Sequence, residues 1–183
     1  MNKKNIVLAG FMGTGKTFTG RALANRLGTK FIDTDTLIEK EAGITIPEIF
    51  KKFGEPHFRK LEREIVKRVS EENGAVIAVG GGAIVDPDNL ADLKKKGIII
   101  CLTASPDLIL SRVERNSDRP LLQVEDRIGK ITELLEKRAP YYEQADFTID
   151  TDGKTPEQVA DEILKTVQKI VSRKGAKDAK VCG

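Results

Sequence analysis

The segment GFMGTGKT, residues 10–17, follows the apolar run Ile6-Val7-Leu8-Ala9 and precedes a helical stretch, and it restricts what this chain can be more than any other feature. Gly10-x-x-x-x-Gly15-Lys16-Thr17 is a phosphate-binding loop in its required setting, strand before and helix after. Backbone N–H groups must converge on phosphate oxygens, which calls for glycine at Gly10, Gly13 and Gly15, with Thr14 in the same cradle. The helix that opens at Lys16 adds its own N–H groups and the positive end of its dipole. Lys16 supplies charge for the β- and γ-phosphates and Thr17 a hydroxyl for Mg²⁺. The loop predicts a bound nucleoside triphosphate.

With 183 residues, 39% hydrophobic and 32% charged, the chain fits one globular domain. No apolar run approaches the roughly 20 residues of a membrane span. MNKKNIVLAG enters a strand directly, without a signal-peptide pattern, so the expectation is a cytoplasmic protein with no membrane partner. Cys101 and Cys182 lack metal-ligand spacing and are not expected to pair. The net charge of +3 is a tail effect: Arg173, Lys174, Lys177 and Lys180 against Asp178 account for all of it, which removes the argument for nucleic acid. The tail, residues 173–183, is expected to be disordered, leaving a single domain over 1–172.

Short β-branched runs alternate with helical patterns: NIVLA, then 16–27; KFID, then helices through 72; AVIAV, then 86–96; IIICL, then 106–115; FTID, then 155–172. Strands separated by helices predict a parallel sheet, and nearly continuous apolar strands predict helices on both faces, a three-layer α/β fold. Asp86-Pro87, Ser105-Pro106 and Thr155-Pro156 mark helix starts, and Thr45-x-x-Glu48 and Thr155-x-x-Gln158 read as capping boxes. RNSDRPLLQVED, residues 115–126, joins two helices without a strand and reads as part of a lid.

A GTPase should carry a guanine-reading NKxD, which is absent, and the one DxxG match, Asp150 to Gly153, lies too near the C-terminus for a switch. A motor needs a water-polarising acid after a strand and a larger assembly. A small-molecule kinase fits best. FIDTD, residues 31–35, ends the second strand with two carboxylates that an extended backbone would point to one side, toward the ligand crevice of α/β proteins. Asp33 suits Mg²⁺ through water; Asp35 suits either a hydroxyl proton or the cap of the next helix. AVIAV ends without an acid, so Asp33 is the candidate for that metal role. Gly80-Gly81-Gly82 reads as bare amides that a ligand can touch at a strand end, or as a floppy connector. Arg59, Glu62 and Arg63 share a helical turn, where Glu62 can hold an arginine; Arg59 reads equally as an anion site or a surface charge. Arg138 ends a helix, and His57, the only histidine, reads as structural or surface.

Taken in order, GFMGTGKT, FIDTD, FRKLE, GGG, RPLL and the arginine of EKRAPYY resemble the shikimate kinase family over about residues 1–170. The resemblance implies a P-loop NTPase fold of the nucleoside monophosphate kinase type, with a five-stranded parallel sheet in order 2-3-1-4-5 and a lid near 113–125. It implies transfer of the γ-phosphate of ATP, with Mg²⁺, to the 3-hydroxyl of shikimate in aromatic amino-acid biosynthesis. It assigns the shikimate contacts to Asp35, Arg59, Gly80, Gly81, Gly82 and Arg138, with Asp35 holding the acceptor hydroxyl and the two arginines gripping the carboxylate. Thr17 and Asp33 would serve the metal, Lys16 and Arg119 would flank the transferred phosphate, and Arg112 and the Pro156 turn would lie near adenine. Two small-molecule substrates and a monomer complete the expectation. A gluconate-type sugar-acid kinase and a non-catalytic nucleotide-binding domain are the rival readings; the first should lack the FIDTD, GGG and RPLL combination, the second has no need of Lys16, Asp35 and Arg119 together.

Overall fold

The computed structural model describes residues 4–114 and 126–178. Arg119, most of the lid segment and the last five residues lie outside the described residues. The chain runs β1 (Asn5–Ala9), α1 (Lys16–Leu27), β2 (Phe31–Asp33), α2 (Thr34–Ala42), α3 (Ile46–Ser70), β3 (Val76–Ala78), a single 3₁₀ turn (Ala83–Val85), α4 (Pro87–Lys96), β4 (Gly97–Thr103), α5 (Pro106–Glu114), α6 (Arg127–Tyr142), β5 (Phe147–Asp150) and α7 (Pro156–Asp178).

The strands are all parallel and lie in the order β2-β3-β1-β4-β5, as the resemblance implies. Their side chains alternate between two cores. Val7 and Ala9 of β1 and Ile99 and Cys101 of β4 pack with α3, α4 and α6 on one face. Ile6 and Leu8, with Ile98, Ile100 and Leu102, pack with α1 and α7 on the other. Both faces of the inner strands are therefore dry, so neither can carry a polar residue in alternation, and the runs IVLA and IIICL follow. Each such aliphatic side chain contributes about 2 kcal/mol of burial. Asn5 is the buried polar exception, 1% exposed; its amide donates to Ser70 O and Glu72 O, and its Oδ1 accepts from Ala75 N–H, tying the start of β1 to the α3–β3 loop.

The expected caps form. Asp86 accepts from the N–H groups of Asp88 and Asn89, Glu48 accepts from Thr45 N–H, and Thr155 and Gln158 exchange bonds at the start of α7. The helices expected through 72 are α2 and α3, and α3 is itself broken at Gly54 (φ 80, ψ 172) before Pro56. Two boundaries differ from expectation: α6 runs past Arg138 to Tyr142, with Pro140 inside it, and α7 continues to Asp178 rather than ending at 172. Among the described residues no helix is long and apolar enough to cross a membrane.

Candidate active site

β1 delivers the loop 10–15 to the C-terminal edge of the sheet, between β3 and β4. Gly10 (φ 132), Gly13 (φ 78) and Gly15 (φ 89) all occupy the left-handed half of backbone space. Gly10 is the strictest position, because a Cβ there would lie 2.2 Å from Leu102 O, a backbone atom of β4 that cannot move aside. Thr14 is buried and its hydroxyl donates to Phe11 O, bracing the loop from inside. Lys16 Nζ donates to Gly10 O at 2.8 Å and Phe11 O at 2.9 Å, so the ammonium lies across the loop. Arg112 Nη1 donates to Gly13 O at 2.9 Å and to Thr151 Oγ1 at 3.3 Å, joining α5, the P-loop and the turn after β5. Pro156 begins α7 further along the same connection.

Thr17 Oγ1 donates to Asp33 Oδ2 at 2.8 Å. The other oxygen of Asp33 accepts from the N–H groups of Asp35 and Thr36. Asp33 is therefore the cap of α2, and the option that Asp35 caps this helix is set aside. The extended geometry expected through 35 stops at Asp33, since helix begins at Thr34. Asp35 instead reaches Gly80: a Cβ on that glycine would lie 2.7 Å from Asp35 Oδ1 and 3.0 Å from Glu62 Oε1. At Gly82 the corresponding atom would lie 2.9 Å from Arg59 Nη1, and at Gly81 it would lie 3.4 Å from both Gly10 O and Met12 N and 3.7 Å from Arg138 Nη1. The glycine turn after β3 thus sits against the P-loop with Asp35, Glu62, Arg59 and Arg138 packed around it. Four side chains spread over a hundred residues of sequence meet here because β3 lies between β1 and β2.

Glu62 is 1% exposed and its Oε2 accepts from Arg59 Nη1 at 2.7 Å, while Glu55 holds the other side of the same guanidinium. Burial raises the Glu62 carboxyl above its ordinary 4.5; Arg59 pulls it back, and Asp35 and Asp86 push it up again. Burial also works against the Arg59 charge, but Glu62 and Glu55 outweigh it and raise its pKa. Arg59 is therefore a fixed cation, aimed rather than waving. Arg138 Nη1 donates to Gly81 O at 3.3 Å and its guanidinium lies 5.3 Å from the centre of the Phe11 ring. Burial pushes the Cys101 thiol up to about 11, which makes it a packing group of β4 and not a nucleophile. His57 stacks on Phe53 with ring centres 4.9 Å apart. No cluster of three or more His, Cys, Asp or Glu side chains suited to a metal occurs among the described residues.

Some contributors carry no signal in the chain itself. Thr34, fully buried, accepts from Gly80 N–H at 3.1 Å; between two aspartates it reads as a spacer. Tyr142 donates to Gly81 O at 2.8 Å, and Asn89 donates to Ala83 O at 3.0 Å while accepting from Arg63. Only the strand end they serve, GGG, hints that something must hold it.

Sheet order, phosphate loop and the acid and arginines beside it define the class: a P-loop phosphotransferase. A family model described as shikimate kinase matches residues 12–168, and the chain belongs to the shikimate kinase family, whose members are ATP-dependent kinases. A shikimate kinase of Thermodesulfovibrio yellowstonii is 50% identical over 171 residues, which cover 93% of this chain and 99% of that one. One of Caldanaerobacter subterraneus subsp. tengcongensis is 51% identical over 170 residues, with the same coverage of 93% and 99%. Among solved structures, the shikimate kinase of Acinetobacter baumannii in complex with shikimate matches with a TM-score of 0.88 at 41% identity, over 91% of this chain and 94% of that one. A gluconokinase of Sinorhizobium meliloti matches with a TM-score of 0.62 at 15% identity and shares the fold alone.

Proposed function

We propose that the chain transfers the γ-phosphate of ATP to the 3-hydroxyl of shikimate, giving shikimate 3-phosphate and ADP, as a cytoplasmic monomer. One observation carries this reading: a single glycine turn beside the P-loop is surrounded by a carboxylate, Asp35, and two arginines, Arg59 and Arg138, from three different elements. Shikimate is a carboxylate bearing three hydroxyls, and these groups suit it one for one. One chain carries both half-sites, so a monomer suffices.

In this reading the P-loop amides and Lys16 hold the β- and γ-phosphates, and Arg112 lies toward the adenine with the Pro156 turn. The Thr17 hydroxyl and the Asp33 carboxylate, already 2.8 Å apart, suit a hard cation with water in its shell. Mg²⁺ bound there would neutralise phosphate charge. Arg59, held by Glu62, and Arg138 grip the substrate carboxylate, and the amides of Gly80, Gly81 and Gly82 line the ring. Asp35 accepts the hydrogen bond of the acceptor hydroxyl. The hydroxyl oxygen then bonds to the γ-phosphorus as the bridge to the β-phosphate breaks, and the hydroxyl proton leaves toward Asp35. Arg119, from the lid, answers the charge that develops on the moving group. Such transfer is mostly positioning and charge neutralisation, so Asp35 needs no unusual basicity.

A coupled ADP-release assay with ATP, Mg²⁺ and either shikimate or gluconate tests the proposal. Turnover of shikimate is the expected result. Turnover of gluconate without shikimate would reassign the substrate, and nucleotide binding without turnover of either would reduce the chain to a binding domain.

A further inference from the structure

The glycine turn is held by its carbonyls. Gly80 O accepts from Ala83 N–H at 3.0 Å, Gly82 O from Val85 N–H at 3.1 Å, and Gly81 O from Tyr142 Oη at 2.8 Å and Arg138 Nη1 at 3.3 Å. Gly80 N–H is taken by Thr34 Oγ1. Among the described residues no acceptor meets the N–H of Gly81 or Gly82.

The carbonyl of Gly81 and the N–H of Gly82 belong to one planar peptide and point in opposite directions, so whatever anchors the oxygen also aims the N–H. With glycine on both sides no Cβ resists rotation of that plane. Only the two side chains of α6 hold it. Tyr142 is the firmer, at an ordinary O–H···O distance and 8% exposed. Arg138 makes the longer bond and is the group that the proposed function commits to the substrate carboxylate.

We propose that Tyr142 is a positioning residue for the acceptor: its hydroxyl fixes the Gly81–Gly82 peptide so that the Gly82 N–H faces away from α6 into the shikimate pocket. It holds that peptide when Arg138 turns to the carboxylate. This rests on the acceptor reading above. It also gives α6, which follows the lid segment, a direct hold on the pocket floor.

Tyr142→Phe keeps the ring and its packing and removes one oxygen. The expected result is a shikimate KM, and a Kd by titration calorimetry, raised about fivefold. The ATP KM and kcat should stay within about twofold, and the melting temperature should fall by no more than about 2–4 °C. A merely structural role would instead lower stability and leave the shikimate affinity of the folded enzyme alone, and that result overturns the proposal. So does an equal loss of affinity for both substrates. Arg138→Lys is measured in parallel: if it weakens shikimate and Tyr142→Phe does not, the positioning role falls and the acceptor reading stands, whereas if neither weakens shikimate, both fall.

Discussion

Two carboxylates in contact range of one glycine do different work because their surroundings differ. Asp35 stands in the first turn of α2 and carries the acceptor role in the proposed reaction; Glu62 is sealed beneath it and serves to hold Arg59. Asp35→Asn keeps the shape and loses the acceptor of the hydroxyl proton. It should reduce phosphoryl transfer about a hundredfold or more while ATP binding stays nearly intact, as read by steady-state kinetics beside a nucleotide titration. Full activity in this variant would show that the carboxylate has been assigned to the wrong residue. Glu62 makes a prediction about pH. Its folded carboxyl titrates above its ordinary 4.5, so the folded state binds that proton more tightly than the unfolded chain. The stability it contributes is complete below about pH 4.5 and is lost as pH rises through the folded pKa. Glu62→Gln does not titrate, so the stability gap between wild type and variant should narrow as pH rises from 4.5, followed by urea unfolding at several pH values. A gap that widens would mean that Arg59 outweighs burial.

Helix α3 is two working parts joined at a break. Its first half carries Ile49 and Phe50 into the core and its second half carries Arg59 and Glu62 to the glycine turn, with Phe50 and Phe58 in contact across the bend, ring centres 4.7 Å apart. Gly54, at φ 80 and ψ 172, lies where side chains do not go, and Pro56 removes an N–H that a continuous helix would need. Gly54→Ala should therefore cost roughly 2 kcal/mol in a chemical denaturation experiment. It should also raise the KM for the acceptor, because Arg59 lies one turn past the hinge. Unchanged stability would show that the break is incidental to the fold.

At the scale of the molecule, the sheet order brings the P-loop and the glycine turn after β3 side by side, and the proposed function gives the segment between α5 and α6 the role of a lid. Arg119 belongs to that segment. Arg119→Ala should lower kcat far more than it weakens ATP, since a cation that answers developing charge is felt mainly in the transition state. Equal losses in turnover and ATP affinity would mark it as a ground-state phosphate ligand. Much of this plan is legible in order along the chain: loop, acid pair, arginine helix, glycine turn, second arginine. What is not legible is which groups share a carbonyl or a cap. Asp33 takes the cap of α2 because helix starts two residues earlier than an extended reading of FIDTD allows. Thr34 and Tyr142 act through backbone atoms, and a side chain that serves another segment's peptide leaves no local pattern.

By itself the amino-acid order determined what depends on near neighbours: the phosphate loop, whose glycines and lysine lie within eight residues, the helix caps, and strands apolar on both sides. Tertiary structure alone decided the pairings across distance. Arg112 meets the Gly13 carbonyl 99 residues away and Tyr142 meets that of Gly81 61 residues away. The physical reason is that local signals are set by dihedral preference and periodicity, whereas these bonds exist only after β3 and β4 have docked against β1 and carried their loops to a common edge.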